Sequence, residues 1–468
     1  MGIRLTEHKS YFIHFTEDEE SVSTSTVSQT VLYSDKSLYE DINSKLFNKN
    51  VHRFIFEKQD SSFVIRADYC IGIDWLGNTG KFLYVEPKIN QAATENFVKD
   101  IEITEDESPT FDPKTEISHL SYELDYLQML LQVTKIPESN QEIKELVQID
   151  WHAKPISIQQ KDDRLTPFLI IRFLQILKSI VRKGLKKSYY KVQENLTNRV
   201  KGKILVGTHI KQNVFKNKLT STFCEYQVYG ENHIENQFLK KVLQFVISYV
   251  ENHRLLLNQN YEIIQQSINY CRPAFELISG NISENELKHI KHNPFYKDYK
   301  EGLRIGSHIL KRFGYNITQT ATDKVSTPPF WIDMPRLFEL YVFSKMVEHN
   351  SDKKNDIHYQ FSTYGNALDI LISVQNYQMI IDAKYKLHYH NGHLHDDIRQ
   401  VAGYARLKKV RNKLLVEDDR NISCLIIYPD IENGISDFSL ENIDLQKQEI
   451  RAYHRVYKLG VNLPLISV

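Results

Sequence analysis

The stretch ALDILISVQNYQMIIDAKYK, residues 367–386, decides the fold of the second half of the chain. Two runs of apolar and β-branched residues flank a polar turn, which predicts adjacent strands over 367–373 and 378–385. Helical apolar spacing on either side and one further apolar run complete the pattern of an α/β core. These flanking segments are a helix over RLFELYVFSKMVEH (336–349), a helix over DDIRQVAGYARLKKV (396–410) and a strand over SCLIIYP (423–429).

Charged residues interrupt both predicted strands at positions where apolar residues are expected. Asp369 lies between Ala-Leu and Ile-Leu-Ile, and Asp382-Ala-Lys384 follows Met-Ile-Ile. Because strand side chains alternate with a period of two, Asp382 and Lys384 project from the same face, and a short turn can bring Asp369 alongside them. The alternative is an edge hairpin whose outward Asp and Lys are simply solvated. The pattern predicts that three ionisable groups converge.

Hydrolysis of a phosphodiester needs groups of this kind. Carboxylates hold Mg²⁺ through hard oxygen ligands, and the metal polarises the phosphate and lowers the pKa of bound water. Lys384 would orient or deprotonate that water, or neutralise the charge that develops on the phosphate. The flanking helices add Glu339 before the strands, and Gln400 and Tyr404 after them. The alternative is that these residues have no catalytic role: Gln400 and Tyr404 would cap and pack an amphipathic helix, and Glu339 would be one exposed acid on a buried helix.

In their order along the chain, these elements resemble the PD-(D/E)xK nuclease superfamily. The resemblance gives Asp369 the part of the first motif's Asp, Asp382 and Lys384 the part of the second motif, and Glu339 that of the carboxylate on the leading helix. Gln400-Val-Ala-Gly-Tyr404 is similar to the QxxxY element of the RecB-like branch. One departure is Leu368, which precedes Asp369 where the nominal motif has Pro. The resemblance implies metal ligation by Asp369, Asp382 and Glu339, with Lys384, Gln400 and Tyr404 completing the catalytic group.

A narrower resemblance, to the McrC family of nuclease subunits from McrBC modification-dependent restriction systems, covers most of the chain after residue 60. The resemblance rests on several short motifs that occur in the same order along the chain. They are Ile71-Gly-Ile73, Val85-Glu-Pro-Lys-Ile89, Arg182-Lys-Gly-Leu185 ahead of Tyr190, Val200-Lys-Gly-Lys-Ile204, and Glu235-Asn236 at the start of a helix.

The McrC resemblance implies partners as well as an activity. It implies a Mg²⁺-dependent endodeoxyribonuclease, with Mn²⁺ as a substitute, that cuts modified double-stranded DNA when activated by a McrB-like hexameric AAA+ GTPase docked on the N-terminal half. Since cutting both strands needs two active sites, nuclease domains are expected to pair in the active assembly. The alternative is a non-catalytic adaptor that docks on an AAA+ NTPase, stimulates it and positions it on DNA.

The length of 468 residues and a globular composition, 41% hydrophobic and 25% charged, predict two or three domains. We expect an appended N-terminal module over 1–60 and a partner-docking, β-rich and helical basic region over 61–232. A helical lead-in with the nuclease core follows over 233–468. The predicted class is therefore α+β multidomain, with a β-rich N-terminal region, a mainly helical, basic middle and a C-terminal α/β core around a mixed central sheet.

The net charge of zero conceals a strongly basic segment. From residue 164 to 218 there are fourteen Lys and Arg against a single acid, Glu194. This segment can follow a phosphate backbone, enter the acidic-lined pore of a partner, or form a solvated face. The candidate contact residues are Arg182, Lys183, Lys186, Lys187, Lys191, Arg199, Lys201 and Lys203.

A rival metal site is suggested by HYHNGHLH, which contains His388, His390, His393 and His395. The spacings can hold a transition metal, but Asn391-Gly392 favours a hydrated hairpin turn. We therefore keep zinc as the secondary hypothesis.

Other classes of site receive no support from the sequence. Gly77-Asn-Thr-Gly80-Lys81 resembles a phosphate loop, but Trp75 and Phe82 occupy motif positions that need Gly and Ser or Thr, so we expect no nucleotide to bind this chain. The four cysteines contain no CxxC pair. The absence of a signal-like start or a long apolar run predicts a cytoplasmic protein with no membrane partner.

Overall fold

The structure is a computed structural model, and it describes part of the chain. The described residues are 3–6, 10–14, 54–59, 62–67, 69–75, 82–90, 121–136, 142–159, 162–282, 296–313, 324–363, 366–375, 377–385, 393–416, 420–431, 434–443, 445, 449–450 and 453–466. The acidic stretch 91–116, the Gly77–Lys81 turn and most of the predicted 1–60 module lie outside them.

The described strands are short and distributed along the chain. In chain order they are β1 (Ile3–Thr6), β2 (Ser10–His14), β3 (Phe54–Gln59), β4 (Ser62–Ala67), β5 (Cys70–Trp75), β6 (Phe82–Glu86), β7 (Lys88–Asn90), β8 (Ser121–Glu123), β9 (Val147–Ile149), β10 (Ile156–Gln159), β11 (Ser188–Thr197), β12 (Lys203–Ile204), β13 (Ser221–Gly230), β14 (Lys324–Thr327), β15 (Phe330–Asp333), β16 (Ile357–Thr363), β17 (Asn366–Ile372), β18 (Met379–Ala383), β19 (Ser423–Pro429) and β20 (Val456–Val461).

The described helices concentrate in the middle of the chain and around the C-terminal strands. They are α1 (Tyr126–Thr134), α2 (Glu142–Glu145), α3 (Leu165–Lys183), α4 (Val206–Gln212), α5 (Ile234–Asn252), α6 (Arg254–Leu257), α7 (Asn260–Cys271), α8 (Lys297–Arg312), α9 (Met334–His349), α10 (His393–Ala405) and α11 (Lys408–Lys413). In the described part of the chain, no helix combines the length and the apolarity that crossing a membrane requires.

The chain forms two compact units, and the first is built from both of its ends. One unit contains residues 1–156 and 328–468, and the other contains 157–327. The domain boundaries predicted after residues 60 and 232 stay a prediction. Composition along the chain cannot show that the C-terminal part returns to pair with the N-terminal part, because that pairing is non-local.

The return of the chain takes place in the five-stranded sheet β1-β6-β5-β15-β9. Strand β15 runs antiparallel to both β5 and β9, with Trp331 opposite Gly72. A Cβ atom at Gly72 would lie 2.1 Å from the carbonyl oxygen of Phe330. The glycine of the Ile71-Gly72-Ile73 motif is therefore required by the close approach of the returning strand.

The second five-stranded sheet, β16-β17-β18-β19-β20, is the mixed sheet that the sequence predicts. Strands β16 to β18 are antiparallel, whereas β18, β19 and β20 are parallel. Its centre is apolar: Ile380 and Ile427 have no exposed surface. Each such burial contributes about 1.5–3 kcal/mol to folding.

Helices cover the two faces of this sheet. Helix α10 joins β18 to β19 and places Ile398 and Val401 in a core with Leu371 and Ile426. Helix α9 contacts β16 and β18 and also β5 of the first sheet, so it lies between the two sheets of this unit. It begins at Asp333, whose carboxylate accepts the N–H of Arg336 at 3.1 Å. The α+β class and the mixed C-terminal sheet are thus confirmed.

The second unit has a helical core fixed by a buried ion pair. Helix α3 ends at Lys183, and Gly184 follows as its C-cap residue. At its start, Asp163 accepts the N–H of Thr166 at 3.1 Å and lies 2.7 Å from the guanidinium of Arg312 on α8. Since both side chains are almost fully buried, removal of either would leave an uncompensated charge.

The middle of the chain is mainly helical, as predicted, but it also contains a three-stranded sheet, β11-β13-β12, which the sequence does not predict. Residues 188–230, called the arm below, form this sheet together with α4. Strands β11 and β13 pair antiparallel over their full ten residues, from Ser188↔Gly230 to Thr197↔Ser221. The sequence does not reveal the pairing of β11 with β13, because 23 residues of intervening chain separate the nearest paired residues, Thr197 and Ser221.

Candidate active site

The ladder between β17 and β18 opens where the two predicted carboxylates lie. Regular pairs extend to Ile370↔Ile381. Beyond this pair, the N–H of Ala383 donates to Oδ2 of Asp369 at 2.8 Å. The Asp382 side chain, next to Ala383, is almost fully buried, with 1% of the residue exposed. The structure therefore brings Asp369 and Asp382 together at one end of the sheet.

Lys384 follows β18, and both its backbone and its side chain form hydrogen bonds or ion pairs that fix its position. Its N–H donates to the carbonyl of Ile427 at 2.7 Å, which continues the pairing with β19. Its Nζ lies 2.9 Å from Oδ2 of Asp382 and donates to Oε1 of Gln400 at 3.2 Å. The same-face placement of Asp382 and Lys384 follows from the strand period, as the sequence predicts.

Gln400 and Tyr404 are successive-turn neighbours on α10. The Gln400 amide donates to the hydroxyl oxygen of Tyr404 at 2.8 Å, while its carbonyl oxygen accepts from Lys384. The side chain of Tyr404 packs against the core formed by Val401 and its neighbours. A chain of hydrogen bonds therefore runs from a half-buried tyrosine to the lysine ammonium and restricts where that ammonium lies.

Glu339 reaches the site from α9. Its Oε2 accepts from Nε2 of Gln360 at 3.0 Å and from the hydroxyl of Tyr359 at 3.4 Å. It lies close enough to Asp369 for the charge of one carboxylate to act on the other. The structure thus adds Glu339 to the group formed by Asp369, Asp382 and Lys384.

The electrostatics of the site reflect an excess of buried negative charge. Burial, together with the charge of Asp369, raises the pKa of Glu339 to about 8. Burial, with the charge of Asp382, likewise raises the pKa of Asp369 to about 7. Burial alone would lower the pKa of Lys384, but Asp382 and the other carboxylates raise it above its ordinary value. The lysine is therefore cationic at neutral pH.

Two features decide how a metal ion would fit. Among the residues that the structure describes, no three His, Cys, Asp or Glu side chains are close enough to form a metal cage. Magnesium, however, usually keeps several waters and binds through only one or two protein carboxylates. Asp369 and Asp382 offer hard oxygen ligands in a place where a divalent cation would relieve their repulsion. The donor set suits a water-rich magnesium site.

Sequence reasoning missed three residues around the site. Asp397, in the second turn of α10, is 4% exposed and lies 3.9 Å from Nζ of Lys384. Tyr359 and Gln360, on β16, contact Glu339. Asp397 could have been found from the sequence, because it lies three residues before Gln400 in the predicted helix. Tyr359 and Gln360 could not, because the strand β16 was not predicted.

The histidine segment lies mostly outside the described residues. His388 and His390 fall in the undescribed stretch 386–392, and α10 begins at His393. Nδ1 of His395 lies 2.8 Å from the hydroxyl of Tyr453. The zinc hypothesis stays a prediction.

The predicted basic contact residues lie at the end of α3, in the arm and in the short connection between them, and most of them are exposed. The largely buried Lys186 is different: its ammonium pairs with Glu235 and lies 5.2 Å from the ring centre of Tyr296. Its backbone carbonyl accepts from Asn236 at 3.1 Å. Lys186 therefore anchors the start of the arm to α5, and it does not present its charge to solvent. The exposed members are Arg182, Lys183, Lys187, Lys191, Arg199, Lys201 and Lys203.

The arm also exposes apolar side chains. Phe215 is 78% exposed, Leu219 80% and Tyr189 70%, and Tyr189 packs against Tyr229 with ring centres 5.0 Å apart. Of the thirteen exposed large apolar residues in the described part of the chain, nine lie in the arm. So dense a group of exposed apolar residues is typical of a protein-binding surface.

Comparisons with known proteins were made on sequence and on structure. A family model described as "McrBC 5-methylcytosine restriction system component" matches residues 78–416. No curated protein matches the sequence. A refined half-complex from a tetradecameric assembly of Thermococcus gammatolerans McrB AAA+ hexamers with bound McrC matches at 14% identity, covering 99% of this chain and 94% of that chain, with a TM-score of 0.36. A cryo-EM structure of the Thermococcus gammatolerans McrBC complex matches at 13% identity, covering 75% and 88%, with a TM-score of 0.27.

Proposed function

The chain belongs to the family of McrBC 5-methylcytosine restriction system components, and on that premise we propose that it is the McrC-like endonuclease subunit of such a system. The reaction is Mg²⁺-dependent hydrolysis of DNA phosphodiester bonds by a PD-(D/E)xK site. The convergence of Asp369, Asp382 and Lys384 at the open end of one β-hairpin supports this proposal most directly.

Asp369 and Asp382 would hold the magnesium ion, and Glu339 would contribute through a water molecule bound to the metal. When bound, Mg²⁺ polarises the phosphate and supplies a nucleophile from water near neutral pH. Mn²⁺, which accepts the same oxygen ligands, is expected to substitute. Burial and the nearby charge of Asp382 raise the pKa of Asp369, so a bound cation would stabilise the ionised form of this carboxyl group.

Lys384 acts as a cation toward the phosphate. Since neighbouring carboxylates raise the pKa of this lysine, it holds its proton and stabilises the negative charge that develops on the phosphoryl oxygens. Of the roles that the sequence allows for Lys384, deprotonation of water is therefore the least favoured. Gln400, fixed by Tyr404, positions the ammonium between the carboxylates and the substrate.

The substrate is modified double-stranded DNA in the cytoplasm. One site cuts one strand, so two nuclease domains pair to produce a double-strand break. A double-strand break by a demonstrably monomeric nuclease would contradict this pairing.

The partner is a McrB-like hexameric AAA+ GTPase, and the arm is the element that docks on it. The arm combines exposed apolar side chains such as Phe215 with exposed cations such as Lys201 and Lys203. Apolar contact area with a rim of charge is the usual composition of a protein interface. DNA binding through the same cations is the competing role, and a strong dependence of DNA affinity on salt would reveal it.

A non-catalytic adaptor is the second candidate function. It is favoured by one observation, the lack of a three-residue metal cage among the described residues. An adaptor would stimulate the AAA+ partner and place it on DNA without cutting.

The deciding experiment uses methylated and unmethylated plasmid, this chain, its McrB-like partner, GTP and Mg²⁺. The nuclease proposal expects cleavage of the methylated plasmid that requires the partner, and a loss of at least about 100-fold for Lys384→Ala. The matched control is Lys144→Ala, which removes an exposed lysine of α2 in the same unit. Cleavage that is unchanged by Lys384→Ala, or no cleavage in any mixture, would favour the adaptor.

A further inference from the structure

Strand β16 changes the direction of its side chains in the middle. Tyr359 packs against Phe343 of α9, with ring centres 5.1 Å apart. Phe361, two residues later, should point the same way in a regular strand. It packs instead against the core that contains Val401 and Val410, on the opposite face of the sheet. The alternation therefore shifts by one residue between positions 359 and 361.

The neighbouring strand β17 makes the same shift at the same level. Leu368 and Leu371 are three residues apart, yet both belong to the core on the α10 side of the sheet. The shift lies between these two leucines and includes Asp369. Because Tyr359 pairs with Ile370 and Phe361 with Leu368, the residues at the centre of the two shifts, Gln360 and Asp369, lie opposite each other.

Gln360 has the backbone conformation that produces the shift. Its φ is 48°, in the left-handed region that residues other than Gly, Asn and Asp rarely adopt. Consecutive strand residues normally face opposite ways, but Tyr359 and Gln360 both reach the same oxygen of Glu339, at 3.4 and 3.0 Å. A left-handed glutamine in a strand is unfavourable, and such strain clusters at functional sites.

We propose that Gln360 is a positioning residue of the active site: its left-handed backbone shifts the strand phase, and its amide holds the Glu339 carboxylate beside Asp369. The proposal rests on the proposed function, since it deepens the role of Glu339 in that site. Gln360 acts through Glu339 and does not itself contact metal or DNA.

The test is a double-mutant cycle between Gln360 and Glu339, read by Mn²⁺ binding to the full-length chain in calorimetry. Gln360→Gly keeps a residue suited to the left-handed backbone and removes the amide. It is expected to weaken Mn²⁺ binding about 10-fold, as loss of a residue that orients a metal ligand typically does. In a Glu339→Ala background the same change is expected to have less than about a 2-fold effect, because its target is gone.

Two further variants separate the backbone from the amide. Gln360→Asn retains an amide and tolerates the left-handed region, so it should bind Mn²⁺ more tightly than Gln360→Gly. Gln360→Leu should lower both Mn²⁺ affinity and the melting temperature, because leucine has no amide and does not tolerate the left-handed backbone. The matched control is Gln132→Leu: the Gln132 amide donates to Glu348 at the far end of α9, 2.5 Å away, and its loss should leave Mn²⁺ affinity unchanged.

Equal effects of Gln360→Gly in the two backgrounds, or no effect in either, would overturn the positioning role. Mn²⁺ binding is measured without DNA or partner, so the cycle remains decisive if the wild-type chain binds Mn²⁺ but does not cleave. That result would remove the nuclease proposal alone. Wild-type protein that binds no Mn²⁺ would overturn both proposals.

Discussion

The sheet β16–β20 and the arm depart from ordinary residue placement in opposite ways. In the sheet β16–β20, Asp382 is buried within an apolar layer, and Lys384 lies beside it with 17% of its side chain exposed. In the arm, Phe215 and Leu219 are exposed, and only a small core, including Leu196, is buried. Buried charge is expensive unless it is paired, and exposed apolar surface in quantity is rare on a protein that acts alone.

This contrast is consistent with the proposal that the sheet carries the reaction and the arm binds the partner. The sheet stabilises its charges with a fixed network of hydrogen bonds, which is suited to holding reacting groups in place. The arm has little core to fix its outer side chains, which is suited to a surface completed by another molecule. Changes in the sheet should therefore affect the reaction, and changes in the arm should affect assembly.

The largest expected effect is on cleavage when a site carboxylate is neutralised. Asp369→Asn and Asp382→Asn should each lower the single-turnover cleavage rate at least about 1000-fold, because in the proposed site each removes a ligand for the metal that would stabilise the transition state. Melting temperatures should not fall, since less negative charge remains buried. Asp437→Asn, at an exposed carboxylate in the same unit, is the control. Near-normal cleavage by either site variant would remove the sheet from the chemistry.

A Leu→Ala substitution should lower the free energy of unfolding more in the sheet than in the arm. Leu425→Ala, at a fully buried position of β19, should lower the free energy of unfolding by about 4 kcal/mol, and Leu196→Ala in the arm by about 2 kcal/mol or less. In Leu196→Ala, backbone amides of the arm should exchange hydrogen faster, whereas the amides of the sheet should remain protected from exchange. A global loss of protection in Leu196→Ala would mean that the arm belongs to the folding core.

Charged replacements on the arm should weaken assembly and leave folding intact. Phe215→Asp and Leu219→Asp should each weaken binding to the AAA+ partner at least about 10-fold, as loss of a buried apolar anchor does. Their unfolding free energies should change by less than about 0.5 kcal/mol, because the side chains are exposed in the isolated chain. Leu277→Asp, at a 93% exposed leucine outside the arm, is the matched control. Equal weakening by the control would show that the apolar residues of the arm are not special.

The last prediction is a pH dependence of stability that arises from the buried carboxyl groups of the candidate site. The pKa values of Asp369 and Glu339 in the folded chain, about 7 and about 8, exceed their ordinary values of 3.8 and 4.5. The folded state therefore binds more protons, and without metal its stability should fall as pH rises from about 4 to about 8. Mg²⁺ should reduce this fall. Melting temperatures against pH, in chelator and in Mg²⁺, will measure both, and Glu339→Gln should flatten the chelator curve. A flat wild-type curve would contradict the proposed charge crowding.

Local patterns predict the centre of the site well. The period of a strand places Asp382 and Lys384 on one face, and the spacing of a helix places Gln400 above Tyr404. The contributions of β16 are different, because Gln360 and Tyr359 reach Glu339 only through a strand that the sequence does not reveal and a phase shift within it. The same limit explains the arm and the returning strand β15, since both depend on pairing between distant segments.

The most direct test measures cleavage and partner GTP hydrolysis in the same reaction for Lys384→Ala and Phe215→Asp. The account predicts that Lys384→Ala loses cleavage by at least about 100-fold while it stimulates GTP hydrolysis as the unmodified chain does. Phe215→Asp should lose both activities together. Lys384→Ala protein that cleaves normally, or that fails to stimulate the partner, would contradict the division of chemistry and recognition between the sheet and the arm.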